Sequence, residues 1–326
     1  MSPGRQVLSL CKAGWNSEKT VEYRGTIEFI IVRMPLFSKK HSVLFIAKHF
    51  IDPGRVTIGR EISFDGFEAL AYDENTLPDV LRQIQSLFVG DIRIVLSEEL
   101  VYVTELSFPT GMRLTRDIVR RAVEATTPED LRATEWDFQT LHYVKKQETE
   151  TGVLVQAAVI EGVFFRMFAQ ALETVLLPIE SIVPESYALA HLTAGYEGAS
   201  LLIVRDREST LLALVDGGFV IATRVERGEV AVSHIEKFLS FISVHKSKVA
   251  ARIIFSHFTE EEMAPFQTLA ACGYELISEE YNPLIGAAVQ TSITGKDAEV
   301  LNLNTFLLDR QVSWWKHIFR KRRKLQ

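Results

Sequence analysis

Cysteine is nearly absent: the 326 residues hold two, Cys11 and Cys272. Two thiols cannot build a cysteine-based metal site, and they supply no disulfide framework. That scarcity suits a reducing compartment. Long apolar runs are also missing, and no stretch reaches the roughly 18 residues that cross a bilayer. An excess of positive charge is lacking too; the formal net charge is -6, which argues against nucleic acid as a partner. His142, His191, His234, His245, His257 and His317 are scattered, with no i, i+4 pair on a helix for zinc. Ser186 lacks the glycines of a nucleophile elbow. Glu180 and Glu185 flank Pro184 and read as capping and surface carboxylates rather than a catalytic pair. No cofactor and no metal is expected.

What is present is a hydrophobic fraction of 47% against 24% charged residues. That is the composition of a compact protein, and the length allows two cores. Residues 1–40 differ from the rest. Lys12, Asn16, Glu18 and Lys19 break the apolar runs there, so no secretory signal forms. The run MPLFSKKHSVLFI, opened by Met34, reads as a protein start. Residues 1–40 are therefore expected to be a disordered or mis-assigned tail, with a short strand at 27–32 as the alternative.

Beyond it, residues 42–47 form an apolar strand, 55–58 and 67–71 continue a meander, and Pro53-Gly54 reads as a turn. Val80, Leu81, Ile84 and Leu87 share one face of a helix over 78–88, with Thr76 as its cap. Strands follow at 91–96 and 100–106, and a helix at 117–125. Thr127-Pro128-Glu129-Asp130 has the pattern of a cap, a proline at the first helical position and first-turn acids, so a short helix is expected. Strands at 136–143 and 153–160 pair across a polar loop. Phe164, Phe165 and Phe168 mark the core face of a helix over 162–177, which Pro178 stops. A strand at 179–183 and a short helix at 186–192 complete this half. The second half opens with a three-strand meander over 200–223, hinged on Asp216-Gly217-Gly218. A helix around Ile235–Ile242 follows, then a strand at 250–255 that is apolar on both faces, as in an interior parallel strand. A capping box at Thr259–Glu262, a strand at 274–277 and a last helix at 283–289 end the series.

The unit of three meandering strands, a helix, a strand and a helix thus occurs around 42–96 and again around 200–277. Such duplication resembles the actin and hexokinase class, so the fold class expected is α/β, a duplicated ribonuclease H-like fold with an inserted 1C-type subdomain. The boundaries are 41–195 for the first actin-like domain, with the insertion at about 97–150, 196–300 for the second, and 301–326 for a C-terminal segment. Three blocks are similar to the PilM family of type IV pilus assembly proteins and to the cytoplasmic domain of the related GspL proteins of type II secretion. The first runs from Arg93 to Pro109 and on through Thr127–Leu131 and Glu135–Phe138. The second is Ala157–Glu161 with the helix after it, then Glu180, Pro184, Glu185, Ser186, Ala188 and Leu189. The third is the meander Leu211–Arg224, followed by Gly228.

The resemblance implies a cytoplasmic scaffold, peripheral to the inner face of the membrane, whose partners are inner-membrane pilus or secretion platform proteins. It places partner contacts on the insertion, at Pro128, Glu129, Asp130, Glu135 and Asp137. It also implies where a nucleotide would sit, and the residues there do not suit one. The first phosphate loop reads Ala47-Lys48-His49-Phe50-Ile51, with Asp52 and Gly54 separated by Pro53, which has no backbone donor. The second holds Ile203 and Arg205 where the family has acid and glycine. Its turn, 205–209, reads as a solvated charged hairpin in which Glu208 would oppose a phosphate. The adenosine loop has Ser256-His257-Phe258-Thr259 instead of a glycine pair. A non-enzyme is therefore expected. The alternatives are a divergent nucleotide-binding ATPase, or a small-molecule module using the cleft between the lobes.

In the C-terminal segment, Leu301-Asn302-Leu303-Asn304 is similar to the Asn-Leu stretch by which PilN docks to PilM. On this chain it implies that residues 301–306 lie extended in or beside a groove of the chain's own body, or of a neighbour's, as self-docking in place of a partner's peptide. Farther on, Trp314, Trp315, Ile318 and Phe319 fall on one side of a short helix, beside Lys316 and the basic run Arg320, Lys321, Arg322, Arg323 and Lys324. Aromatics next to cations suit an anionic membrane surface.

Overall fold

Alternation and apolar runs build two sheets with the same central order. The computed structural model describes residues 21–23, 39–59, 62–109, 111–141, 152–193, 196–246, 248–294 and 303. The first sheet has seven strands: β1 (Val21–Tyr23), β2 (Lys39–Ile46), β3 (Phe50–Ile58), β4 (Ile62–Gly66), β5 (Leu70–Ala71), β6 (Ile92–Leu96) and β10 (Ile179–Pro184). They run in the order β1-β4-β3-β2-β6-β10, with β5 also on β3. β2, β6 and β10 are parallel neighbours, and β6 is buried along its whole length. That is why these strands read as continuous apolar runs. β1 lies within the segment read as a tail, pairing Val21–Tyr23 with Phe64–Ile62. The alternative strand at 27–32 and the start at Met34 lie outside the described residues.

Pro53-Gly54 is not a turn. Both residues sit inside β3, opposite Leu44 and Val43, and the chain reverses at 47–49, closed by the Ala47 N–H on the Phe50 carbonyl at 3.0 Å. The proline is tolerated because β4 pairing ends at Gly54 and β5 pairing begins at Ile51, leaving a break in the outer ladder. Gly54 is required because a Cβ there would stand 2.5 Å from the Phe64 ring. The missing strand of the meander is β4, and the strand expected over 67–71 is confined to β5.

Between β6 and β10 the chain leaves the sheet. A 3-10 turn (Glu98–Leu100) leads to β7 (Val101–Pro109), and β8 (Trp136–Leu141) and β9 (Gly152–Ile160) complete a three-stranded sheet in the order β7-β9-β8. The helix Arg116–Glu124 covers it through Val119 and Val123, closing a small core with Leu106, Phe108, Trp136 and Val155. Thr127–Asp130 are irregular, with a bend at Pro128-Glu129, rather than a short helix. The Glu129 carboxylate is engaged elsewhere, as described below, and the Asp130 carboxylate accepts from the Arg132 N–H at 3.0 Å, closing a local turn.

Numbering the helices in chain order, α1 is Leu77–Gln85, α2 is Arg116–Glu124, α3 is Gly162–Thr174 and α4 is Glu185–Leu192. The second lobe has five strands: β11 (Ser200–Arg205), β12 (Ser209–Asp216), β13 (Phe219–Arg227), β14 (Arg252–Ser256) and β15 (Glu275–Ser278), in the order β13-β12-β11-β14-β15. Helix α5 (Val232–Lys246) and the short α6 (Glu260–Met263) and α7 (Gln267–Ala271) flank them. The capping box expected at Thr259–Glu262 is present. Helix α8 (Pro283–Thr294) follows β15 in sequence but packs on α4, β2, β3 and β6 of the first lobe. Gly286 permits that crossing, since a Cβ there would lie 2.0 Å from the Ala188 carbonyl oxygen. Arg93, fully buried on β6, ties it down. Its Nη1 donates to the carbonyls of Ala288 (2.6 Å) and Ala287 (3.2 Å), while Nε and Nη2 hold both oxygens of Glu180 at 2.8 and 3.0 Å. No helix among the described residues is long and apolar enough to cross a membrane.

Candidate functional site

The two lobes meet where the turn between β2 and β3 faces the hairpin between β11 and β12. The tip of the hairpin, Arg207 and Glu208, is exposed as its composition suggests, but its arginines also bind protein groups. Arg207 reaches across to the first lobe, where its guanidinium lies 5.2 Å from the centre of the Phe50 ring and 3.6 Å from Asp52 Oδ1. Arg205 turns the other way, stacking 4.1 Å from the Phe258 ring and bonding to Glu262. Both arginines thus hold protein groups at the place where an anion would otherwise be drawn.

The loop after β14 fills the same space. His257 has a φ of 63°, the left-handed conformation that favours glycine. The loop therefore keeps a glycine-like backbone but carries an imidazole, whose Nε2 lies 3.0 Å from the Tyr281 carbonyl. Burial lowers the His257 pKa, so the ring is neutral. Ser256 accepts from the Tyr281 N–H at 2.8 Å and seals the loop onto the lead-in to α8. Among the described residues, one cavity between the lobes, of about 20 Å³, is lined by Phe45, Glu185, Arg205, Asp206, His257 and Asn282, among others. That volume suits about one water, whereas small-molecule sites occupy roughly 300–1,000 Å³.

Carboxyl groups crowd this interface. Asp52 is 3% exposed and neither of its oxygens has a hydrogen-bond partner among the described residues; burial pushes it up to about 7, against the pull of Arg207. Glu98 caps the start of α4, accepting from the Ser186 N–H (3.2 Å) and Oγ (2.9 Å), and burial raises it to about 7. Glu185, first residue of α4, is raised well above the usual range by burial and then by Asp206 and Glu98. Burial raises Asp206 to about 6. Among the described residues no group of three His, Cys, Asp or Glu side chains is placed to hold a metal ion. Sequence reasoning missed Asp52 and Arg207 as a pair. The available signal was that Phe50 and Asp52, two residues apart in a strand, share one face, which the turn assignment at Pro53-Gly54 hid.

On the insertion, Pro128 and Asp130 are exposed while Glu135 is buried. Glu129 accepts from the Gly162 N–H at 3.0 Å and so caps α3. Asp137 pairs with Arg116 at 3.1 Å, and Arg116 lies 4.3 Å from the Trp136 ring. The insertion also touches the second lobe: Gln156 Nε2 donates to the Val220 carbonyl, and Glu99 pairs with Arg227 at 2.8 Å. Of residues 301–326 only Leu303 is described. It is fully buried in the first-lobe core, and its N–H donates to the Ile182 carbonyl on β10 at 2.9 Å. Leu301, Asn302 and Asn304 lie outside the described residues, as do Trp314, Trp315, Lys316, Ile318, Phe319, Arg320, Lys321, Arg322, Arg323 and Lys324.

No protein-family model matches the sequence, and no curated protein matches it significantly. Solved structures are similar. The cytoplasmic domain of EpsL, an inner-membrane component of the type II secretion system of Vibrio cholerae, aligns with a TM-score of 0.52 at 10% identity, over 82% of this chain and 98% of that one. The PilM–PilN type IV pilus biogenesis complex aligns with a TM-score of 0.54 at 13% identity, over 77% of this chain and 90% of its own. A Bacteroides thetaiotaomicron protein with an actin-like ATPase fold aligns at 0.52 and 7% identity, over 77% and 95%. At such identities the likeness is one of fold. The chain has a mixed-sheet fold of the actin-like ATPase kind, distantly similar in structure to the EpsL domain and to the PilM–PilN complex.

Proposed function

We propose that this chain is a non-catalytic cytoplasmic scaffold of an inner-membrane assembly platform of the type IV pilus or type II secretion kind, acting through protein contacts. The observation that carries this reading is the interior of the cleft. Arg207 on Phe50 and Asp52, Arg205 on Phe258, and His257 in a glycine conformation occupy the ground that phosphate and nucleoside need. In this reading the two sheets of matching order are a duplicated ribonuclease H-like pair, about 41–195 and 196–300. The β7–β9 sheet with α2 is then an inserted 1C-type subdomain. Partner proteins of the platform meet its edge at Pro128 and Asp130, with Glu129, Glu135 and Asp137 shaping the surface from beneath. Residues 301–306 dock on the chain's own body, a reading supported by the burial of Leu303 beside Ile182. The basic aromatic end, Trp314 to Lys324, rests on anionic lipid, where each cation adds about 1 kcal/mol. Calorimetric titration of the full chain with magnesium-ATP tests the core of this reading. The expected result is no heat beyond dilution and no phosphate release; saturable binding with turnover would defeat it.

A further inference from the structure

We propose that the interface between the lobes is a proton-gated hinge, which closes when protons occupy the carboxyl groups gathered there and opens as they leave. The proposal rests on the reading of the cleft as filled by the protein's own side chains. Its basis is a juxtaposition. Four carboxyl groups from four separate elements meet at one interface: Asp52 on β3, Glu98 on the 3-10 turn and Glu185 on α4 from the first lobe, with Asp206 on the β11–β12 hairpin from the second. The first three are buried. Glu185 and Asp206 line the same cavity from opposite lobes.

Positive charge does not balance them. Arg207 faces Asp52 at 3.6 Å, too long for a hydrogen bond, and among the described residues neither Asp52 oxygen has a donor. Arg205 is taken by Glu262 and Phe258, and Arg227 by Glu99. Glu208 adds a further negative charge beside Asp206. His257, on the loop from β14, is held neutral by burial. Closing the lobes with all four carboxylates ionised would place like charges from both sides against each other, with Arg207 the one facing cation among the described residues.

The direction of the pH effect follows. Burial raises Asp52 to about 7 and Asp206 to about 6 in the closed form. An open cleft hydrates them and returns them to the usual carboxylate value of about 4. The closed form therefore binds more protons. Its advantage is complete below about pH 4 and is lost as pH rises through the closed-form values, by about tenfold in the open-to-closed ratio per pH unit for each such carboxyl. Above about pH 7 the dependence flattens.

The test is hydrogen exchange on the full chain from pH 4.5 to 8, corrected for intrinsic rates, read at the β11–β12 hairpin and at residues 47–49, with small-angle scattering in parallel. The expected result is a fall in hairpin protection of at least about tenfold between pH 5 and 7, a larger radius of gyration at the higher pH, and a smaller pH slope in Asp52→Asn. Asp206→Asn serves the same purpose from the other lobe should Asp52→Asn misfold. Hairpin protection independent of pH in the unmodified chain would overturn the proposal, as would an unchanged slope in both variants. Magnesium-ATP added at pH 7 separates the two readings. Closure by nucleotide would sink the scaffold assignment, whereas the pH response alone decides the hinge.

Discussion

The two lobes share a strand order and differ in who covers them. The second lobe packs α5, α6 and α7 on one face of its sheet, closing a core of Leu201, Phe238, Phe255, Phe266 and Leu269 from its own residues. The first-lobe core is built from both halves of the chain. It takes in Leu284, Ile285, Ala288 and Val289 of α8, Leu303 beyond it, and the inner face of the second sheet at Leu202, Leu211 and Ala213. Helix α4 stands between the sheets, touching β6 and β10 on one side and β12 and β13 on the other. Matching topology therefore does not mean matching independence: the first lobe borrows, the second lends.

The largest test of that asymmetry is Gly286→Val. Its side chain would collide with the Ala188 backbone, and α8 would have to lift. We expect a loss of about 3 kcal/mol in urea unfolding, with amide protection falling first in β2 and β6, although the substitution lies in the second half of the sequence. Equal losses in β11 and β14 would remove the distinction between the lobes. A middle-sized effect is expected from Arg93→Met, about 2 kcal/mol, because methionine fills much of the volume while Glu180 keeps access to solvent. The same first-lobe amides should weaken, and an unchanged urea midpoint would show that α8 stays in place without the arginine. The smallest effect belongs to the insertion. Glu129→Gln keeps the shape of the α3 cap and removes its charge, and should cost roughly 0.5–1 kcal/mol. The loss should be confined to exchange at the start of α3; loss of protection across β7–β9 would mean that the cap holds the whole insertion.

Much of the fold was legible where one face of an element alternates or repeats. The β11–β13 meander, the Phe164–Phe168 face of α3 and the capping box at Thr259 were read close to their observed bounds. Pro53-Gly54 misled because turn chemistry outweighed the strand on either side, and the break in the outer ladder that tolerates the proline is a tertiary fact. Arg93 is a lone cation in the apolar run Ile92–Leu96, but its partners Glu180, Ala287 and Ala288 are far along the chain. By the resemblance, Ile203, Arg205 and His257-Phe258 stand where acid and glycines are expected. What fills the cleft was not legible, because Arg207 meets Asp52 only after two hairpins from different lobes face each other. Nor could composition reveal that His257 takes a positive φ.

The borrowed helix also sets a schedule for synthesis. When β10 and Pro184 leave the ribosome, the first-lobe sheet is complete in its own strands, yet Leu284, Ile285 and Ala288 do not exist until roughly a hundred residues later. At about 5–20 residues per second, that is roughly 5–20 s during which the apolar bed of α8 stands open. The second lobe can close its own core in that interval. The nascent chain thus folds from the middle outward, and its earliest sheet is the last to be sealed. A chaperone that shields exposed apolar strands would find its longest-lived client surface on β2, β3 and β6.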